Sequence, residues 1–170
     1  MSPEIPHSEE QEPEPTPFTL EEVVRVAKET TLQDGWHMPT VLADDGRVSV
    51  VLQMTEMGKT HQERVAMMNA AGFALGKSDT IGQLEQVFFI TEAWMSMPPG
   101  GELTLPPSQD PNRIEVLLIS QLEVAERRGD LVMFEMIRDG EQLVDLKEFA
   151  PRGEKDLSFD SPLLVHIRVR

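Results

Sequence analysis

The sequence contains no cysteine, and this absence removes several kinds of chemistry at once. Without a thiol the chain can form no disulfide, offers no thiolate nucleophile and lacks the sulfur ligands of many zinc sites. Positive charge is also scarce, because 15 lysine and arginine residues stand against 30 aspartate and glutamate residues. The formal net charge of −15 argues against direct nucleic-acid binding and against docking on anionic membranes. It favours solubility and a basic partner.

Long apolar runs and targeting signals are missing as well. No segment approaches the roughly 18 apolar residues of a membrane span. The first residues lack the basic and apolar regions of a signal peptide. We therefore expect a cytoplasmic protein with no membrane association. The 170 residues suit one domain with a sizeable core.

The first 17 residues form a segment of their own composition. They hold five prolines, five glutamates and neither lysine nor arginine. Such a segment buries too little apolar surface to offset its ordering entropy, so we predict a disordered acidic tail over 1–17. Residues 18–170 then form a single domain, which keeps 25 acidic and 15 basic residues and is acidic in its own right.

Two segments have the pattern of amphipathic helices with capped N-termini. Thr19 and Glu22 form a capping-box pattern before a helix predicted over 20–31. Thr60 and Glu63 repeat the pattern at the start of "THQERVAMMNAAGFALGK".

The remaining periodic segments alternate as β-strands do. An Asp-Gly turn at 45–46 joins two short apolar runs and predicts a hairpin. Three long strands are predicted at about 85–97, 113–124 and 131–138, and a shorter one at 142–149. Residues 98–112 form a Pro- and Gly-rich loop, and 161–170 could be strand or helix. This order predicts an α+β fold with one twisted, mainly antiparallel sheet of about six strands and two helices packed on one face.

One carboxylate raises the main question of the sequence. In "FITEAWMSM" the strand places Glu92 between Ile90 and Trp94 on the same side. Each long strand likewise has one apolar side and one side that mixes large apolar residues with a carboxylate. We expect the apolar sides to pack on the helices. The mixed sides indicate a covered but wet surface, such as a subunit interface, a groove or a sheet face under the long loop.

Candidate residues follow from this pattern. The mixed sides contribute Glu92 and Trp94, Glu135, and Asp145 and Lys147. Arg113 adjoins them and has two interpretations. It anchors an anion at the mouth of the mixed surface or, as we favour, pairs with Glu92, Glu115 or Glu135. The predicted interaction face is therefore Glu92, Trp94, Arg113, Glu135, Asp145 and Lys147.

An enzymatic alternative uses some of the same residues. Asp145-Leu146-Lys147 has the D-x-K spacing of many metal-dependent nucleases, and Glu135 can face it across a hairpin. The acidic chain argues against a polyanionic substrate. Gly58-Lys59-Thr60 lacks the earlier glycine of a phosphate-binding loop, and the four histidines show no ligand spacing. We therefore predict neither a metal site nor a cofactor.

The stretches "VFFITEAWMS", "PSQDPNRIEVLLIS" and "FEMIRDGEQLVDL" carry a resemblance that covers the C-terminal half. They resemble a family of small uncharacterised bacterial proteins. The resemblance implies bacterial origin and no particular activity, cofactor or catalytic residue.

Three functional hypotheses remain. The first is a non-enzymatic interaction protein, either a homo-oligomer or a subunit of a larger assembly that binds a protein partner. The second is a metal-dependent hydrolase or nuclease with a carboxylate site at Glu92, Glu135 and Asp145. The third is an acidic mimic of nucleic acid that occupies a basic partner protein. Convergence of the three carboxylates would favour the second.

Overall fold

The computed structural model describes residues 17–56, 58–96 and 109–149, apart from the side chains of His61 and Phe149. Its elements in chain order are α1 (Leu20–Asp34), β1 (Thr40–Asp44), β2 (Ser49–Gln53), α2 (His61–Lys77), β3 (Gln86–Met95), β4 (Ile114–Glu123), β5 (Arg128–Asp139) and β6 (Gln142–Phe149). The six strands form one open antiparallel sheet in the order β2-β1-β3-β4-β5-β6. The predicted α+β class is confirmed. The predictions for the tail and for 161–170 fall outside the described residues, except at position 17.

Both helices begin where the sequence predicts. The Thr19 hydroxyl accepts a hydrogen bond from the Glu22 backbone N–H, and the Glu22 carboxylate accepts one from the Thr19 N–H. Thr60 and Glu63 make the same pair of contacts at α2. These capping boxes satisfy N–H groups that have no partner within the helix. Gly35 caps the C-terminus of helix α1, and its φ of 78° is one that glycine adopts without a steric penalty.

Aspartates order the β1–β2 hairpin. Asp44 accepts a hydrogen bond from the Gly46 N–H, and Gly46 has a φ of 82°. Asp45 accepts from the N–H groups of Gly82, Arg47 and Val48, and these bonds hold the pKa of its carboxyl below the ordinary value. The Asp-Gly prediction of this hairpin is confirmed, and Asp45 also ties the hairpin to the segment before β3.

The helices pack on opposite faces of the sheet, so the prediction that both lie on one face is wrong. Helix α1 places Val23 and Ala27 in a cluster with Phe88 and Ile90 of β3. Helix α2 places Leu75 in a second cluster with residues of the other parity, Val87 among them. Because alternate residues of a strand point to opposite faces, the clusters lie on the two sides. We call these sides the α1 face and the α2 face. Each face carries enough apolar side chains to pack against a helix. The sequence pattern therefore does not determine on which face each helix packs.

Candidate interaction site at one end of the sheet

The strand register separates the residues of the predicted interaction face. Glu92 lies opposite Leu117, and Trp94 lies opposite Glu115, all on the α1 face. Glu135 lies opposite Lys147 and has the parity of the α2 face. Asp145 shares that face, opposite Ile137.

The prediction of one shared mixed surface is therefore wrong. Side-chain alternation fixes the two sides of each strand, but only the register says which side of one strand continues onto the next. The mixed sides of β3 and β4 form part of the α1 face, whereas those of β5 and β6 form part of the α2 face. Glu92 consequently does not converge with Glu135 and Asp145. Within 17–56, 58–96 and 109–149, no group of three or more histidine, aspartate or glutamate residues is placed to hold a metal ion.

Glu92 is half-buried and bonded to the chain that enters β1. Its Oε1 atom accepts a hydrogen bond of 2.6 Å from the backbone N–H of His37. A backbone N–H group that lies 55 positions earlier in the chain is therefore a partner of this carboxylate. Burial raises the pKa of this carboxyl and the nearby Glu115 carboxylate adds to the rise, while the His37 N–H and Arg138 oppose it. The acid is thus shifted towards its neutral form.

Arg138 is the cation at the centre of this region. Its Nε and Nη2 atoms donate to the two oxygens of Glu115 over 2.6 and 3.0 Å, a bidentate pair. Its Nη1 atom donates to the carbonyl oxygens of Gly35, at the end of α1, and of Glu141. The hydrogen bonds to Glu115 raise the pKa of the guanidinium. One side chain therefore joins three parts of the fold: α1, β4 and the β5–β6 turn.

Sequence reasoning did not single out Arg138. A signal was present, since Phe134, Met136 and Arg138 share one side of β5 and the first two belong to the α1 cluster. An arginine that continues an apolar side at a strand end is placed to reach a carboxylate on the neighbouring strand. The guanidinium carbon of Arg113 lies 4.5 Å from the centre of the Trp94 ring, and the expected pairing of Arg113 with a carboxylate stays a prediction.

Both tryptophans of the chain lie at this end of the sheet. Trp36 follows Gly35, whose carbonyl Arg138 binds, and precedes His37, whose N–H binds Glu92. Trp94 lies two residues beyond Glu92 on the same face. The exposed fractions of Trp36 and Trp94 are 51% and 46%. We call this region the tryptophan site, which consists of Trp36, His37, Glu92, Trp94, Arg113, Glu115 and Arg138.

His37 contributes its backbone rather than a charge. Its Nδ1 atom lies 2.7 Å from the Met38 carbonyl oxygen, which fits a protonated Nδ1 that donates. Burial lowers the pKa of the imidazole, although the Met38 carbonyl and Asp34 act in the other direction. Burial therefore favours the neutral form of the ring. This role could not be predicted from the sequence, because every residue except proline has a backbone N–H group.

The charged groups of the tryptophan site are bound largely to one another. Glu92 has the His37 N–H, Glu115 has Arg138, and Arg113 lies over Trp94. This arrangement fixes side chains in place. The exposed parts of the tryptophan site include the two aromatic rings of Trp36 and Trp94.

Comparisons with models of protein families, with curated proteins and with solved structures gave no match. The resemblance to a bacterial family therefore stays a prediction. Neither helix in the described part of the chain is long and apolar enough to cross a membrane.

Proposed function

We propose that this chain is a non-enzymatic protein-interaction subunit that binds a partner protein through the tryptophan site. The observation that supports the proposal is that both tryptophans are about half exposed and lie in segments held by the hydrogen bonds of Glu92 and Arg138. Tryptophan and arginine dominate the energetic hot spots of protein interfaces. Trp36, Trp94 and Arg113 supply these residue types at one end of the sheet.

Rigidity strengthens the proposal. An interface residue that is already ordered loses little conformational entropy when the partner binds. Arg138 links the chain around Trp36 to β4 through Gly35 and Glu115. The bond between His37 and Glu92 links the same chain to β3, two residues from Trp94. The segments that carry both tryptophan rings are therefore fixed by hydrogen bonds to other parts of the fold.

The charge of the chain indicates the chemistry of the partner. The formal net charge of the chain is −15, whereas within the tryptophan site the carboxylates of Glu92 and Glu115 stand against the guanidinium groups of Arg113 and Arg138, so the negative potential comes from the chain as a whole. Long-range attraction therefore favours a basic protein surface, and the two rings require an apolar centre on it. We propose a partner that presents an apolar or aromatic patch surrounded by lysine and arginine.

Affinity capture followed by reconstitution tests the proposal. Extracts of the source cell are passed over the immobilised full chain and over its Trp94→Ala and Phe18→Ala variants. Phe18 is the matched control, because it is an aromatic residue with 39% exposure outside the tryptophan site, in the segment before α1. We expect a basic protein that the full chain and the control retain and the Trp94 variant loses.

The captured protein, once purified, is then titrated into the full chain. Covering the two half-exposed rings should shift their fluorescence to shorter wavelength. The proposal fails if the Trp94 and Phe18 variants retain the same proteins equally. It also fails if the purified protein binds without any change in tryptophan emission.

A further inference from the structure

The two edges of the sheet differ in how they are protected against pairing. Strand β6 carries Asp145, Lys147 and Glu148, and its register with β5 shifts between Ile137 and Arg138. Charges and bulges are the usual devices that keep an exposed edge from binding another strand. Strand β2, with the sequence Ser-Val-Val-Leu-Gln, has no charge, no proline and an unbroken register with β1. Within 17–56, 58–96 and 109–149, β2 is therefore the edge of the sheet that lacks such devices.

On the side of β2 that faces away from β1, backbone N–H and C=O groups lie at regular intervals. The Val48 carbonyl accepts from the Asp45 N–H, and the Met54 N–H donates to the Pro39 carbonyl, so residues of even number point their polar groups at β1. Antiparallel ladders alternate, and Ser49, Val51 and Gln53 therefore turn their N–H and C=O groups away from β1. Among the described residues β2 pairs with β1 alone.

The strand is complementary to itself. When two copies of β2 are set antiparallel about an axis through Val51, Ser49 of each faces Gln53 of the other and Val51 faces Val51. The outward groups of both copies then meet in about six hydrogen bonds, because all three pairs are of the hydrogen-bonded kind. On the α2 face, Val50 opposes Leu52 of the other copy. Both residues border the α2 cluster, so that apolar surface continues across the junction.

We propose that two copies of this chain associate through β2 and join their sheets into one antiparallel sheet with twofold symmetry. The side chain of Val51 supports this partner, since it is 54% exposed on the α1 face and would be covered by its own counterpart. No like charges meet along the pair of strands, which matters for two copies of an acidic chain. The proposal does not depend on the tryptophan site, which lies elsewhere on the sheet.

The expected dimer is weak. Strand β2 has five residues, and a contact of this length buries less than the roughly 1,200 Å² typical of stable interfaces. We therefore expect a monomer–dimer equilibrium with a dissociation constant on the order of micromolar to 100 µM.

Sedimentation equilibrium of the full chain over that concentration range tests the proposal. The central variant is Val51→Lys, which sets two lysines against each other across the axis and leaves the backbone hydrogen bonds between β2 and β1 in place. Val144→Lys is the matched control, because Val144 is 50% exposed on the opposite edge strand. We expect the average mass of the full chain and the control to rise towards two chains with concentration. Val51→Lys should weaken association at least tenfold.

A mixture of two oppositely charged variants gives the most specific test of the proposed pairing. Val51→Glu should also be monomeric alone, whereas equal amounts of Val51→Lys and Val51→Glu should form a mixed dimer through opposite charges. If Val51→Lys does not fold by circular dichroism, Gln53→Lys on the same exposed edge takes its place. The proposal is overturned if the full chain stays monomeric, if Val51→Lys associates as the full chain does, or if the mixture gives no dimer. A dimer that Trp94→Ala abolishes and Val51→Lys preserves also overturns it.

Discussion

Replacing Arg138 with alanine should be among the most damaging changes of a polar residue in this fold. The substitution removes the bidentate contact with Glu115 and both donations to the carbonyls of Gly35 and Glu141. It also leaves Glu115 without its cation beside Glu92, and repulsion between these carboxylates already contributes to the raised pKa of Glu92.

The size of the effect follows from the burial of the pair. Removing one member of a fully buried ion pair costs about 3–5 kcal/mol. The side chains of Arg138 and Glu115 keep 25% and 18% of their exposure, so water still screens the remaining carboxylate. We expect a loss of about 3 kcal/mol in the free energy of unfolding at pH 7, at the low end of that range.

Arg25→Ala is the matched control. Arg25 pairs with Glu29 on the surface of α1, where the two side chains are 62% and 63% exposed, and such pairs contribute about 0.3–0.5 kcal/mol. Urea denaturation followed by circular dichroism gives both values. If Arg138→Ala costs no more than Arg25→Ala, the reasoning that Arg138 holds this end of the fold together is wrong.

Three further predictions concern other parts of the chain. Glu92→Gln keeps an acceptor for the His37 N–H and should be tolerated, whereas Glu92→Leu strands that donor and should cost about 1–3 kcal/mol by urea denaturation. Because the folded-state pKa of Glu92 is raised, protonation of Glu92 stabilises the fold at acid pH, and this stabilisation is lost as the pH rises through that pKa. The free energy of unfolding of Glu92→Gln, relative to that of the native chain, should therefore be more favourable at pH 7 than at pH 4. The reverse order would contradict the raised pKa. A chain that begins at Phe18 should melt at the same temperature as the full chain, and a marked drop would show that the tail contributes to the fold. Millimolar Mg²⁺ or Mn²⁺ should leave the melting temperature unchanged, because we predict no metal site. A metal ion that did bind the native state would add about 2.7 kcal/mol of stability at a hundredfold excess over Kd. A rise in melting temperature that Asp145→Asn abolishes would favour the hydrolase hypothesis.

Local structure was predictable because its determinants are close in sequence. The capping boxes at Thr19 and Thr60 and the Asp-Gly turn at Gly46 depend on contacts that span three residues or fewer, and all three are confirmed. The α+β class followed from the order of these elements.

The assembly of the candidate site was not predictable in the same way. Whether Glu92 and Glu135 share a face depends on the parity of pairing through β4, which alternation within one strand does not contain. The bond between His37 and Glu92 joins residues 55 positions apart and uses a backbone group. Trp94 is 46% exposed within the chain, and the expectation that the long loop or a second subunit covers it stays a prediction.

The affinity of the purified partner for Trp94→Ala tests the central claim most directly. A hot-spot residue contributes 2 kcal/mol or more, which corresponds to a loss of about 30-fold in affinity. Isothermal titration calorimetry with the full chain, Trp94→Ala and Phe18→Ala measures it under one set of conditions. The account predicts that Trp94→Ala weakens binding at least about 30-fold while Phe18→Ala stays within about twofold of the full chain. Equal affinities for all three proteins would contradict it.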